Sequence, residues 1–180
     1  MNDVMTAIKE RRSIRNYADT EVPDDVLQTI LEAVQWTPSW ANTQCWEIVV
    51  VKDPDVKANL QKAVPASNPA FKSIVGAPVV LALCAKKGTS GYYKDVVTTR
   101  FGDWMMFDLG LAAQSIGLAA HEKGLGTLIV GLYEHDKVDK TLNLPEGVEN
   151  VALIPLGYAT KVPNPPKRRE ISDFSHHDVF

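Results

Sequence analysis

Arg11, Arg12 and Arg15 place three guanidinium groups, with the hydroxyl of Ser13 between them, inside the segment Arg11-Arg12-Ser13-Ile14-Arg15-Asn16-Tyr17. Planar guanidinium forks and a hydroxyl at that spacing make a donor array suited to a phosphate or a carboxylate. The same cations, with Lys9, also suit a plainer role, offsetting the negative end of a helix macrodipole while solvated. A second basic cluster, Lys167-Arg168-Arg169, stands at the far end of the chain and favours the clamp. Between the two lies the loop Pro38-Ser39-Trp40-Ala41-Asn42-Thr43-Gln44-Cys45-Trp46, which concentrates amides, hydroxyls and aromatic rings. Asn42 and Gln44 each donate and accept, which suits the alternating C=O and N–H edge of a planar heterocycle. A turn closed by local Asn and Ser bonds, with the tryptophans in the core, is the alternative.

Other chemistries are not supported. His121-Glu122 lacks the second histidine of an HExxH site because Leu125 occupies its place, and His176 and His177 have no partner at ligand spacing, so no metal is expected. Cys45 and Cys84 are the two cysteines and lack CxxC spacing, which indicates neither a disulfide framework nor zinc and makes a reducing cytoplasm the default. The formal net charge of -3 argues against general attraction to nucleic acid or anionic membrane, so the basic residues must act locally. No signal peptide and no membrane-spanning run are visible.

These residues need elements to hold them. A chain of 180 residues with 45% hydrophobic and 23% charged residues fits one globular domain, residues 1–180, with a sizeable core. Val4, Ala7 and Ile8 predict a helix over residues 3–11 that delivers the arginines, followed by an extended Ser13 to Ala18. Leu27, Ile30, Leu31 and Val34 form an apolar stripe on a second helix, with Asp24 and Asp25 in its first turn and Pro38 as its stop. Trp46 to Lys52 and Ala77 to Ala85 read as buried strands, and residues 54–75 as helix broken at Pro65 and Pro69. From Tyr92 to Lys123 there is no proline, and Trp104, Phe107, Leu111, Ser115, Ile116 and Ala119 predict one long central helix. Leu109 to Ala120 is apolar or small nearly all round, which implies burial on every side and a homodimer seam.

Gly124 to Gly131 reads as a short strand between glycines; it matches neither the dinucleotide fingerprint nor the P-loop, and leaves backbone able to approach a ligand closely. Glu134 to Leu142 predicts a short polar helix and Val148 to Tyr158 a strand, with Pro155 marking a bulge or an edge. Beyond Val162, residues 162–180 form a proline-rich extended arm that carries the second basic cluster.

Taken together, RRSIRNY near the start, PSWANTQCW before a strand, DLGLAAQSIGLAAHEKGLGT on the long helix and the proline-rich tail ending in KRR resemble the FMN-dependent nitroreductase family over essentially the whole chain. The resemblance implies an α+β fold of three layers (αβα) around a mixed, mainly antiparallel sheet, an obligate homodimer, and FMN bound at the subunit interface. It implies that Arg11, Arg12, Ser13 and Arg15 hold the FMN phosphate and reach the ring, with Lys167 and Arg169 joining at the phosphate. Pro38, Ser39, Trp40, Asn42 and Gln44 line the ring from the partner subunit, and Leu128, Ile129, Val130 and Gly131 bring backbone N–H groups to it. Asn68 and Lys72 resemble further flavin contacts, and Trp40, Tyr92 and Trp104 fall where the family builds its substrate pocket. Two departures are visible: Cys45 stands where the family usually has proline, and Trp40 where a small residue is commoner. A bulky indole there narrows the pocket and can stack on planar substrates. The implied activity is hydride transfer from NAD(P)H through flavin N5 to a small nitroaromatic, quinone or enone acceptor, with ping-pong kinetics and no catalytic side chain. The alternatives are a specialised enzyme of the same fold, such as a dehalogenase or flavin-fragmenting enzyme, and a non-catalytic flavin-binding or storage protein.

Overall fold

The structure, a computed structural model, describes residues 3–180. Helix α1 (Val4–Glu10) stops at Arg11, which turns to an extended ψ of 133° and starts the arginine segment. Helix α2 (Asp24–Gln35) follows Pro23 and buries Leu27, Ile30 and Val34, the stripe predicted for it. Strand β1 (Trp46–Val51) leads to α3 (Pro54–Gln61), whose first turn is fixed by Asp53 accepting from the N–H groups of Asp55 and Val56, both at 2.9 Å, with Pro54 at the first helical position. Helix α4 (Phe71–Gly76) and strand β2 (Val79–Lys86) come next, then the hairpin β3 (Tyr92–Tyr93) and β4 (Val96–Val97). Helix α5 (Met105–Glu122), strand β5 (Leu125–Thr127), helix α6 (His135–Leu142) and strand β6 (Val148–Tyr158) complete the body.

The main sheet has the order β1-β2-β6-β5, with every neighbouring pair antiparallel. A parallel bridge between Ser13 and Thr127 adds the mixed character. The period of two along β2 makes the layers: Val79, Leu81, Leu83 and Ala85 pack with α2 and α5, while Val80, Ala82 and Cys84 face the side of α3, α4 and α6. The protein is therefore α+β, with helices on both faces of the sheet.

Three sequence expectations are corrected. The long helix begins at Met105, because Tyr92 to Trp104 forms a hairpin instead: Lys94 (φ 50°) and Asp95 (φ 62°) make a left-handed two-residue turn of the type that matches strand twist. Pro155 lies on a central strand, not at an edge, and the register shift sits between Leu83 and Cys84. The proline is tolerated because its missing N–H lies on the side where the β5 ladder has ended, and its carbonyl still accepts from the Leu128 N–H at 3.3 Å. The strand expected over Gly124 to Gly131 is a ladder only for Leu125–Thr127, with a single further bridge, Val130 to Leu153. Among the described residues, no helix is long and apolar enough to cross a membrane.

Candidate functional site

Ser13 to Ala18 runs along the edge of the sheet, with Ile14 N–H on the Thr127 carbonyl at 2.9 Å and Ala18 N–H on the Tyr158 carbonyl at 2.8 Å. Gly126 permits this approach, since a Cβ there would meet Ile14 Cγ1 at 2.3 Å. Gly117 of α5 similarly leaves room for the Arg11 stem, whose Cδ would lie 3.1 Å from an added Cβ. Two small residues thus seat the arginine segment.

That segment borders two cavities. One, about 180 Å³, is lined by Glu10, Arg11, Arg12, Ile14, His121, Gly124 to Gly126, Ala159 and Val162. The other, about 380 Å³, brings together Arg15, Asn68 and Leu128 to Gly131. Asn68 fixes this second wall by donating to the Leu132 carbonyl at 3.2 Å and accepting from the Ala70 N–H at 2.9 Å, while Ser73 donates to the Arg15 carbonyl at 3.1 Å. Lys72 is exposed on α4 beside Ser73.

The donors in these walls are available to a ligand. The Arg12 guanidinium bonds the carbonyls of Lys9 and Arg11, and Arg15 bonds that of Ser13 at 3.4 Å; among the described residues none of Arg11, Arg12 and Arg15 pairs with a carboxylate. Leu128 and Val130 spend their N–H groups on Pro155 and Leu153, whereas Ile129 and Gly131 are exposed and their N–H groups have no protein acceptor among the described residues. His121 Nε2, in the wall of the smaller cavity, is buried without a partner among the described residues. A phosphorylated planar heterocycle meets these needs: cations and Ser13 for its ester, and free backbone donors for the acceptor atoms of its ring.

The loop at Pro38 to Gln44 sits elsewhere. It precedes β1, the opposite edge of the sheet from β5, about 14 Å away at ordinary strand spacing. Its backbone is unusual, with Ala41, Asn42 and Gln44 at φ 45°, 57° and 49°. Ser39 Oγ accepts from the Gln44 N–H at 2.9 Å, and Gln44 Nε2 donates to Asn42 Oδ1 at 3.3 Å, so both amides point their remaining valences to solvent. Trp40 shares this corner with the hairpin that carries Tyr92 and leads into Trp104, where Trp104 Nε1 donates to Thr99 Oγ1 at 2.6 Å.

At the base of this corner is a residue the sequence reading passed over. Asp108 is fully buried; Oδ1 accepts from the Trp40 N–H at 2.9 Å, and Oδ2 accepts from the Ser90 hydroxyl at 2.6 Å and lies 3.6 Å from Cys45 Sγ. The available signal was a lone carboxylate early in an otherwise apolar helix. Burial, then the Asp108 charge, push the Cys45 thiol up to about 12, which keeps it neutral at ordinary pH and so disfavours the thiolate.

The arm does not join the arginine cavities within one chain. Val162, at its root, reaches the smaller cavity, but Lys167 and Arg169 line a separate hollow with Glu170 and Asp173, and Arg169 lies 5.5 Å over the Phe174 ring. The residues singled out in the sequence thus fall into three groups: a cationic and backbone-donor edge, an aromatic and amide corner, and a basic arm.

All three groups are carried by one sheet with helices on both faces. The Nitroreductase family model matches residues 8–74 and 67–158. A protein of Methanothermobacter thermautotrophicus with the provisional name NADH dehydrogenase/NAD(P)H nitroreductase is 34% identical over 165 residues, covering 89% of this chain and 80% of that protein. A Thermus thermophilus protein named NADH dehydrogenase is 31% identical over 191 residues, covering 92% and 91%. The solved structure of an FMN-dependent nitroreductase from Clostridium difficile superposes with a TM-score of 0.78 at 26% identity, covering 98% and 99%. The chain belongs to the nitroreductase family.

Proposed function

We propose that the protein is an FMN-dependent NAD(P)H oxidoreductase, active as a homodimer on a small nitroaromatic, quinone or enone acceptor. The observation that carries this reading is the single sheet edge on which arginines stand beside the N–H groups of Ile129 and Gly131, the arginines without carboxylate partners and the N–H groups without acceptors among the described residues. When bound, FMN supplies the hydride chemistry between NAD(P)H and the acceptor. The chain supplies the rest. Arg11, Arg12 and Ser13, with Lys167 and Arg169 of the arm, hold the phosphate, whose desolvation needs several cations to offset it. Arg15, Asn68 and the Leu128 to Gly131 backbone orient the ring, and Pro38, Ser39, Trp40, Asn42 and Gln44 of a second copy close its other side against water.

Two copies are needed because the donor edge and the aromatic corner lie on opposite sheet edges of one chain. The faces that would cover one another are apolar and open: Trp36 is 80% exposed at the end of α2, and Met106 and Phe107 of α5 are 61% and 58% exposed. Large apolar side chains left open at these positions suit a face covered by a second copy. Donor and acceptor take turns in the same space, which Trp40, Tyr92 and Trp104 border. The test is rapid anaerobic mixing of FMN-loaded protein with NADH or NADPH. Fast loss of the oxidised-flavin absorbance is expected; bound flavin that stays oxidised would leave only a binding or storage role.

A further inference from the structure

We propose that Asp108 is a positioning residue whose buried carboxylate fastens the loop at Trp40 to Cys45 onto the hairpin between Ser90 and Trp104, so that both walls of the substrate corner move as one. The inference rests on the functional reading above for its consequence, and on the geometry alone for its mechanics.

Neither segment stands well by itself. The loop holds Ala41, Asn42 and Gln44 in the left-handed region, which a Cβ disfavours and which Ala41 and Gln44 have no local means to offset. The hairpin has two residue pairs, and so short a ribbon is marginal in water. Both depend on an anchor outside themselves. Asp108 gives each one oxygen: Oδ1 takes the Trp40 N–H, and Oδ2 takes the Ser90 hydroxyl, with Cys45 Sγ beside it. Ser90 is fully buried too, and its carbonyl accepts from the Trp104 N–H at 3.0 Å, which carries the attachment to the other end of the hairpin. Gly91 packs so tightly between Gly102 and Trp104 that a Cβ would meet the Gly102 carbonyl oxygen at 2.4 Å, so the hairpin base is a rigid lever.

The donor set makes the carboxylate specific. A backbone N–H, a hydroxyl and a thiol all point toward it, and a side-chain amide of the same shape would turn an NH₂ group against one of these donors. Trp40 on the loop and Tyr92 and Trp104 on the hairpin, the residues proposed to border the substrate, hang from this one group. The gap between them is thereby set by Asp108, which touches neither substrate nor cofactor.

Backbone amide hydrogen exchange of the full-length protein, read residue by residue, tests the coupling. In Asp108→Asn, exchange of the Trp40 amide should quicken about tenfold, the equivalent of about 1.4 kcal/mol, together with the amides of 90–104, while β2 and β6 keep their protection. Ser90→Ala removes only the hairpin's bond, so a clamp predicts that Trp40 and Gln44 exchange faster in that variant as well. The acceptor KM should rise in both variants more than kcat falls. Loosening confined to the hairpin in Ser90→Ala, or an unchanged Trp40 amide in Asp108→Asn, overturns the proposal; if Asp108→Asn does not fold, Ser90→Ala decides. FMN titration of the unaltered protein separates the two readings, since coupled loosening in a protein that binds no FMN would refute the proposed function and leave the clamp standing.

Discussion

The arginines of the first segment are held in place by what they lack as much as by what they touch. Arg11 threads past Gly117 and among the described residues has no carboxylate partner, so its guanidinium contributes little to folding. Replacing it with alanine should raise the FMN dissociation constant by about 10- to 100-fold, the range for losing a hydrogen bond to a charged group, and leave the melting temperature nearly unchanged. Fluorescence titration and a thermal melt measure both; an unaltered titration would remove Arg11 from the phosphate. Lys167→Ala on the exposed arm should act in the same direction, also without affecting stability. These residues were legible because clustered cations cannot be core. Asp108 and His121 were not, because a single polar residue on an apolar helix has the same one-letter signature whether it anchors two loops or faces solvent.

At the level of elements, the sheet edge works because β5 places a glycine, Gly126, where Ile14 of the arginine segment lies on it. Gly126→Ala should push Ile14 off β5, costing about 1–3 kcal/mol of stability as an overpacked contact and weakening FMN binding with it. Combining it with Ile14→Ala should return part of the FMN affinity by making room, which a denaturant series and a titration on both variants would show. The apolar stripe of α2 and the buried strands could be read from spacing alone, since burial imposes the period directly. The start of α5 could not. Lys94 and Asp95 adopt left-handed geometry without glycine, so nothing in the pattern marks the turn, and the aromatic residues of the hairpin happen to continue the helical spacing. Pro155 misled for a related reason: whether a strand proline is tolerated depends on where its neighbour's ladder ends, which is a property of the assembled sheet.

Across the whole molecule, several acidic groups are kept neutral by burial. The thiols of Cys45 and Cys84 are pushed up to about 12 and about 11, and burial raises the phenols of Tyr17 and Tyr133 as well. Each releases its proton at lower pH in the unfolded chain, so their contribution is complete below the ordinary thiol value of 9.0 and is lost as pH climbs through the folded values. Urea midpoints should therefore fall from about pH 9 to about pH 12, and Cys84→Ala should flatten the part of that slope between about pH 9 and about pH 11. The fold itself was accessible from four short motifs in order. The assembly proposed for the site was accessible only by resemblance, because the groups proposed to form it lie on opposite edges of one sheet and Lys167 and Arg169 reach neither cavity within the chain.

That division makes sedimentation the sharpest test of the account. With protein and flavin absorbance followed together, added FMN should travel with a particle of twice the 19.8 kDa chain mass, at one flavin per chain. Flavin that sediments with the single chain at full affinity, or that stays behind unbound, would contradict a site completed by two copies.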